Sequence, residues 1–230
     1  MCGRFVQSRP AGDYAAYFGV DEVTTESLAP SYNVAPTDRV YAVAEHRGLR
    51  QLGTFRWGLL PFWARDRRMA ARNINARMET VATKAAFRES FVGRRCIIPA
   101  DGFYEWQARP KGRLPHYVYA PGGPLALAGL WAAWRDPDTD ERLRTCTILT
   151  GAPNELVAHL HDRMPVVLER SVWDRWLDPM VTDAEQLYPL LVVHPAEGMA
   201  AHPVSTLVNK VEINLPELIE PLGTGAVDAG

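Results

Sequence analysis

Residues 96–150 read CIIPADGFYEWQARPKGRLPHYVYAPGGPLALAGLWAAWRDPDTDERLRTCTILT. Short apolar runs rich in β-branched and aromatic residues alternate here with clusters of Gly, Pro and Asp. Such runs are typical of strands, and such clusters of tight turns. The predicted strands cover residues 96–99, 102–107, 116–120, 125–134 and 143–150. Because most of the connections are short, the segment predicts a sheet of mainly antiparallel strands.

The rest of the chain adds one more strand pair and several helices. A hairpin is predicted from strands 39–44 and 51–60, joined by a turn at 46–48. The predicted helices cover 11–19, which Gly19 closes, 75–91 with Asn75 as N-cap, 155–160, 171–177 with Ser171 as N-cap, and 183–191. No regular alternation of strand and helix is present. We therefore predict an α+β fold with a mainly antiparallel, barrel-like sheet and flanking helices.

Length and composition limit the organisation of the chain. With 230 residues, of which 47% are hydrophobic, it is long enough for one full core. We predict a single domain over 1–221 and a disordered Gly/Ala-rich tail over 222–230. The longest apolar run, 125–134, is about half of the roughly 20 residues that a membrane span needs. Three cysteines without a CxxC pair predict neither disulfides nor a zinc site, so a cytoplasmic protein is expected.

The charge is distributed unevenly along the chain. The formal net charge is only −2, but residues 47–113 hold 15 Lys/Arg against 5 Asp/Glu. We call residues 47–113 the basic section. It also contains several aromatic residues: Trp57, Phe62, Trp63, Phe103, Tyr104 and Trp106. Such a mixture is typical of a groove that follows a nucleic-acid backbone and stacks bases, although a solvated basic face over core aromatics explains it equally well.

Cys2 follows the initiator methionine, which is commonly removed when the next residue is small. Removal of Met1 would give Cys2 a free α-amine, with a reference pKa of roughly 7.7–8.0, beside a thiol of roughly 8.5. Such an aminothiol captures aldehydes, because the amine forms an imine and the thiol then closes a thiazolidine ring. The residues around Cys2 alone also allow an ordinary small residue at this position.

Two further residues are candidates for proton transfer. On a strand, Glu105 shares a face with Phe103 and Gln107, and apolar neighbours raise the pKa of a carboxyl. Glu105 is therefore a candidate general acid, with a solvated edge-strand glutamate as the alternative. His161 is a candidate acid or base, although a structural histidine fits as well. His159 and His161 lack further ligands at a recognisable spacing, so no metal is expected.

Seven motifs occur along the chain in a particular order. They are Met1-Cys2-Gly3-Arg4-Phe5, Tyr32-Asn33-Val34-Ala35-Pro36-Thr37, Trp57-Gly58-Leu59-Leu60-Pro61, Asn75-Ala76-Arg77-Met78-Glu79-Thr80, Ala100-Asp101-Gly102-Phe103-Tyr104-Glu105-Trp106, His161-Asp162-Arg163-Met164-Pro165 and His202-Pro203-Val204-Ser205. From residue 2 to about 210 this order resembles the SRAP family, the SOS response-associated peptidases. The resemblance implies a protein that covalently traps abasic sites in single-stranded DNA through a mature N-terminal cysteine. No cofactor is expected.

The resemblance also implies roles for four catalytic residues. Cys2 would be the nucleophile, and Asn75 would hold its reactive end. Glu105 and His161 would move protons while the sugar ring opens and the imine forms. The chemistry agrees, because an abasic deoxyribose is mostly a closed hemiacetal and needs a proton donor to open to the aldehyde.

DNA contacts are expected from arginines and tryptophans. The resemblance implies that Arg77 and Arg163 bind the phosphates that flank the lesion, with Arg4 as a further candidate. The basic section adds Trp57 and Trp63 as stacking platforms. Abasic single-stranded DNA is the expected partner of a monomeric protein that associates with the nucleoid when bound.

Three classes of function are compatible with these residues. The first is an abasic-site crosslinking enzyme with lyase-like chemistry, active after Met1 is removed by autoproteolysis or by an aminopeptidase. The second is a thiol peptidase or N-terminal-nucleophile hydrolase that uses Cys2, Glu105 and His161. The third is a non-catalytic reader of modified or single-stranded DNA. The basic section argues against a general peptidase, and the position of Cys2 argues against a pure reader.

Overall fold

The computed structural model describes residues 2–223, so most of the predicted tail lies outside the described residues. The strands are β1 (Phe5–Gln7), β2 (Glu22–Val23), β3 (Ser31–Val34), β4 (Arg39–His46), β5 (Leu49–Trp57), β6 (Asn75–Arg77), β7 (Arg95–Ala100), β8 (Gly102–Ala108), β9 (Arg113–Tyr119), β10 (Leu125–Arg135), β11 (Arg142–Gly151), β12 (Met164–Pro165) and β13 (Ala200–Pro203). The helices are α1 (Ala11–Phe18), α2 (Arg88–Gly93), α3 (Glu155–Ala158), α4 (Trp173–Leu177) and α5 (Ala184–Leu187).

Five strands close into a barrel in the order β11-β10-β7-β4-β5. Neighbours within this order pair antiparallel, and a parallel pairing between β5 and β11 closes the ring. The closing contact is short, because only Arg56 and Trp57 pair with Thr145 and Cys146. The predicted α+β class with a mainly antiparallel, barrel-like sheet is confirmed.

A second sheet, ordered β13-β9-β8-β1-β3, is antiparallel throughout. Its apolar residues, such as Phe5, Phe103 and Val118, share one core with residues of the barrel strands. Cys2 belongs to the same core. The helices α1, α2, α4 and α5 pack into a separate core on the barrel. The amino terminus of the chain therefore lies between the two sheets.

The helix predicted over 75–91 is wrong in its first half. Residues 75–77 form β6, which pairs parallel to β11 with Asn75 opposite Ile148 and Arg77 opposite Thr150. Beyond the end of β5, the edge of β11 is free, and β6 satisfies its backbone groups. Turns follow, and only Arg88–Gly93 is an α-helix. The side chain of Asn75 is therefore not a helix cap.

The other predicted helices are present but shorter. Gly19 closes α1 in the left-handed conformation, as predicted. The side chain of Asn154 caps α3 by accepting from the Val157 N–H at 3.0 Å. Helix α4 starts only at Trp173, and Ser171 does not act as its N-cap. These segments gain most of their stability from packing on the barrel, since helices this short are marginal alone.

The chain leaves the barrel after β5 at a position that requires glycine. Gly58 has a φ of 119°, and a Cβ there would lie 2.7 Å from the Ala70 carbonyl oxygen. The loop that follows exposes 62% of Phe62 and 43% of Trp63. This pair of neighbouring aromatic residues faces solvent, whereas most large apolar side chains of the described residues are buried.

Candidate active site

Cys2 is completely buried just before β1. Its thiol lies 3.8 Å from the Arg4 carbonyl oxygen, which accepts a weak hydrogen bond from it. Burial, reinforced by the negative charge of Glu105, raises the pKa of the Cys2 thiol well above its usual value. The thiol is therefore protonated at neutral pH in the structure described.

Glu105 reaches this region through the pairing of β8 with β1. Phe103 lies opposite Phe5, and the Tyr104 N–H donates to the Arg4 carbonyl at 3.0 Å. In this antiparallel register, Glu105 lies beside the residues that precede β1. Glu105 is only 1% exposed, and its burial raises the pKa of the carboxyl to about 7. The raised pKa predicted from its apolar neighbours is confirmed in direction.

Asn75 contacts Cys2 directly. Its side-chain Nδ2 donates to the Cys2 carbonyl oxygen at 2.7 Å. Its Oδ1 is buried and has no hydrogen-bond partner among the described residues. A buried amide oxygen without a partner is costly, and it is available to accept from a group that enters the site. The structure thus places Asn75 where it contacts the backbone of the candidate nucleophile.

His161 follows α3 in a loop whose base is held against β8, because Gln107 Nε2 donates to the His159 carbonyl at 3.3 Å. The Arg163 N–H donates to His161 Nδ1 at 3.0 Å, and Asp162 Oδ1 lies 2.8 Å from the same nitrogen. Burial lowers the pKa of His161. The Arg163 N–H and Asp162 compete for Nδ1, which accepts from the Arg163 N–H only when it is unprotonated and donates to Asp162 only when it carries a proton.

The Arg163 guanidinium is already bound within the protein. It forms a two-pronged ion pair with Glu79 at 2.5 and 2.9 Å and donates to the Thr150 carbonyl at 2.6 Å. Only 15% of its side chain is exposed. Arg163 therefore ties the His161 loop to β11 and to the turn after β6. Arg77, by contrast, is exposed on β6.

Arg4 also serves an internal contact. Its Nη1 donates to Asn33 Oδ1 at 2.8 Å and to the Val208 carbonyl at 2.9 Å. The pKa of Arg4 is lowered by its partial burial. Arg4 and Asn33 together hold the segment near Val208 against β3.

The two predicted stacking tryptophans have different environments. Trp57 is completely buried, and its indole N–H donates to the Ile74 carbonyl at 2.9 Å. The prediction that Trp57 stacks on DNA is therefore wrong, because neither face of its ring is accessible. Trp63 is exposed and keeps a face for stacking.

Sequence reasoning missed the role of Glu79. The one clue in the sequence was the position of Glu79, which lies two residues after Arg77 within one of the seven motifs. Its partner Arg163 is 84 residues away, so the ion pair appears only in the fold. Among residues 2–223, no group of three or more His, Cys, Asp or Glu side chains is arranged to hold a metal ion. In the same range, no helix combines the length and apolar character that a membrane crossing requires.

The sequence profile of the SOS response associated peptidase (SRAP) family matches residues 1–211. The chain therefore belongs to the SRAP family, and the resemblance carried by the seven motifs is confirmed. It is 43% identical over 223 residues to the abasic site processing protein YoqW of Bacillus subtilis, covering 96% of this chain and 99% of YoqW. It is 32% identical over 228 residues to the abasic site processing protein HMCES of Gallus gallus, covering 85% of this chain and 67% of HMCES. A solved structure of a protein from Bacteroides thetaiotaomicron matches with a TM-score of 0.85 at 28% identity, covering 96% of this chain and all of that one.

Proposed function

We propose that the protein processes abasic sites in single-stranded DNA by linking them covalently to Cys2. The names of the relatives support an abasic-site substrate. The observation that carries the covalent mechanism is the convergence of two side chains on Cys2. Asn75 binds its carbonyl at 2.7 Å, and Glu105 is close enough for its charge to raise the pKa of the thiol. Removal of Met1, by the protein itself or by an aminopeptidase, completes the aminothiol.

The reaction is a condensation with water as the second product. The hemiacetal of the abasic sugar opens to an aldehyde when its ring oxygen receives a proton. The Cys2 amine adds to the aldehyde carbon, and protonation of the resulting hydroxyl releases water and leaves an imine. The thiol then adds to the imine carbon while its proton passes to the nitrogen, which closes the thiazolidine ring. No oxidant or reductant is needed.

Glu105 is suited to donate the protons that ring opening and loss of water require. With a pKa of about 7, the carboxyl is partly protonated at neutral pH and can be reprotonated between steps. His161 is suited to accept and return a proton in both directions, because its neutral form predominates at neutral pH. Asn75 orients the Cys2 backbone, and its Oδ1 can accept from the mature α-amine.

DNA recognition is assigned to exposed cationic and aromatic groups. Arg77 is exposed two residues after Asn75 and can reach a phosphate that flanks the lesion. The exposed rings of Phe62 and Trp63 can stack on neighbouring bases of a single strand. An abasic nucleotide lacks a base to unstack, which lowers the cost of entering a pocket. This activity agrees with the expected cytoplasmic, nucleoid-associated location.

Incubation with a single-stranded oligonucleotide that contains one abasic site tests this function. We expect a protein–DNA adduct that survives denaturing electrophoresis and contains one protein per lesion. An oligonucleotide of the same sequence with an intact base is the control. A protein that binds both oligonucleotides without forming any adduct would be a reader of DNA and not a covalent trap.

The exposed and the ion-paired arginine are expected to respond differently to substitution. Arg77→Gln should weaken binding to single-stranded DNA and reduce the log–log slope of affinity against salt by about 0.7, since one phosphate contact is lost. Arg163→Gln should instead destabilise the fold by about 1–3 kcal/mol, since a charged hydrogen-bond network is broken. Anisotropy titrations at several salt concentrations and thermal unfolding measure the two effects.

Glu79→Gln is the matched control for this pair. If Arg163 acts as a tether, Glu79→Gln should destabilise the protein in the same direction as Arg163→Gln while leaving the salt slope as in the wild type. If Arg163→Gln lowers the slope as Arg77→Gln does and leaves the stability unchanged, Arg163 binds phosphate as the family resemblance implies.

A further inference from the structure

Tertiary contacts neutralise part of the charge of the basic section. Arg67 pairs with Asp136 and Glu141, and Arg50 pairs with Asp174. All three acidic partners lie outside the basic section. Its high charge in the sequence therefore does not by itself mark a basic surface in the fold.

Four other arginines lie together without acidic partners. Arg39, Arg56, Arg142 and Arg144 line one cavity of about 640 Å³, together with the hydroxyl groups of two threonines. Within residues 2–223, none of the four forms an ion pair with a carboxylate. The one carboxylate that lines the cavity is Glu141, and it is bound to Arg67 at 2.6 Å.

The cavity lies at the seam where the barrel closes. Strands β5 and β11 pair only from Arg56 and Thr145 onward, so residues 142–144 have no partner on β5. We call the opening the seam groove, and its cationic residues are Arg39 and Arg56 on one side and Arg142 and Arg144 on the other. Arg39 donates to Thr54 Oγ1 at 3.0 Å, and the Arg144 guanidinium lies 5.6 Å from the Phe55 ring centre. These contacts position the two side chains, and neither contact supplies a carboxylate to balance the positive charge.

This arrangement is unfavourable for the isolated fold. Arg39 lies directly opposite Arg56 on neighbouring strands, and Arg135 lies opposite Arg142. Like charges directly opposite one another destabilise a sheet. Arg135 is relieved by its pairing with Asp140, but Arg39 and Arg56 have no comparable relief among the described residues. An anionic ligand would supply the missing negative charge.

The shape of the groove favours a ligand with several negative charges. Four guanidinium groups on three strands exceed what one small anion needs, because a single arginine can already bind a phosphate with two hydrogen bonds. Strand β11 also connects the groove to the candidate active site. Arg144 precedes Ile148, the partner of Asn75, by four residues, or about 13 Å of strand. A strand of DNA held at Cys2 is long enough to reach that far.

We propose that the seam groove binds the phosphodiester backbone of single-stranded DNA several nucleotides away from the lesion. The proposal rests on the proposed function for the identity of the ligand. The groove would hold the flanking strand through Arg39, Arg56, Arg142 and Arg144, while the groups around Cys2 engage the abasic nucleotide. Affinity should therefore depend on the length of the strand as well as on the lesion.

The test uses labelled single-stranded oligonucleotides of about 6 and 20 nucleotides without any abasic site, so that no covalent step contributes. The double variant Arg142→Gln/Arg144→Gln should lower the salt slope for the longer oligonucleotide by about 1.4, which is about 25-fold weaker binding at 0.1 M salt. Its affinity for the shorter oligonucleotide should change less than twofold. The control, Arg88→Gln/Arg175→Gln, removes two exposed charges on helices α2 and α4. It should bind both lengths as the wild type does.

Three outcomes would overturn the proposal. The first is an unchanged slope for the longer oligonucleotide, and the second is an equal loss for both lengths. In the third, inorganic phosphate stabilises the wild type but not the variant, while the two proteins bind DNA equally well. This result would mark a site for a small anion. The result is independent of adduct formation. If the wild type forms no adduct but the double variant shows the length-dependent loss, the proposed function is refuted and the groove is supported.

Discussion

Cys2→Ala is expected to abolish the denaturation-resistant adduct with abasic DNA, because no thiol remains to close the thiazolidine ring. Cys2→Ser should retain the α-amine and form an imine that reverses unless it is trapped by reduction. The comparison needs denaturing electrophoresis with and without borohydride. Intact mass of the purified wild type should show loss of Met1, since the mechanism requires a free amine on Cys2.

Cys146→Ala is a matched control, because Cys146 is also completely buried in the same core as Cys2. Its adduct yield should equal that of the wild type once both proteins are shown to be folded. A stable adduct with Cys2→Ala in the absence of borohydride would mean that another residue is the nucleophile. Active material that fully retains Met1 would exclude the aminothiol.

Glu105→Gln is expected to slow adduct formation by about 10²- to 10⁴-fold, the usual contribution of a positioned general acid. Binding to the same oligonucleotide should change much less, since glutamine occupies the same space. Because the pKa of Glu105 is about 7, the wild-type rate should fall as pH rises above 7, and the variant should lose this dependence. Single-turnover measurements from about pH 5.5 to 8.5 give the profile.

Glu105→Gln slows the reaction, but it should raise the stability of the fold at alkaline pH. Burial raises the pKa of Glu105 from 4.5 to about 7, so the folded state binds its proton more tightly than the unfolded chain does. The contribution of Glu105 to the stability of the wild type is thus greatest below about pH 4.5 and declines as pH rises through 7, by about 3 kcal/mol in total. Glutamine does not titrate. Relative to the wild type, Glu105→Gln should therefore gain about 3 kcal/mol between pH 4.5 and pH 8 in denaturant unfolding.

His161→Ala is the comparison for the effects of Glu105→Gln on the reaction rate and on stability. It should slow formation of the adduct and also its release, because one proton shuttle serves both directions of a reversible reaction. It should not reproduce the stability gain at alkaline pH, since the pKa of His161 is lowered and not raised. If Glu105→Gln and wild type share one rate profile and one dependence of stability on pH, Glu105 is not the general acid.

Many of the strands and several of the turns could be predicted from the sequence because they depend on residues close together in the chain. The strands within residues 95–151 follow from apolar runs between turn residues, and Gly19 closes α1 through its own backbone freedom. The direction of the pKa shift of Glu105 could be predicted from apolar neighbours such as Phe103, although its size depends on the burial that the fold imposes. The order of the motifs was enough to identify the SRAP family.

Contacts between distant residues decided the rest. Asn75 lies on a strand because β11 offers a free backbone edge, which no pattern near Asn75 could reveal. Trp57 is buried by the barrel that β5 helps to close, and Arg163 is ion-paired with a glutamate 84 residues away. Local charge predicted a basic section, yet the unpaired arginines of the seam groove come from three strands and mostly from outside it. Coulomb interactions depend on distance in space, so only the folded chain determines which charges are cancelled by a partner and which are not.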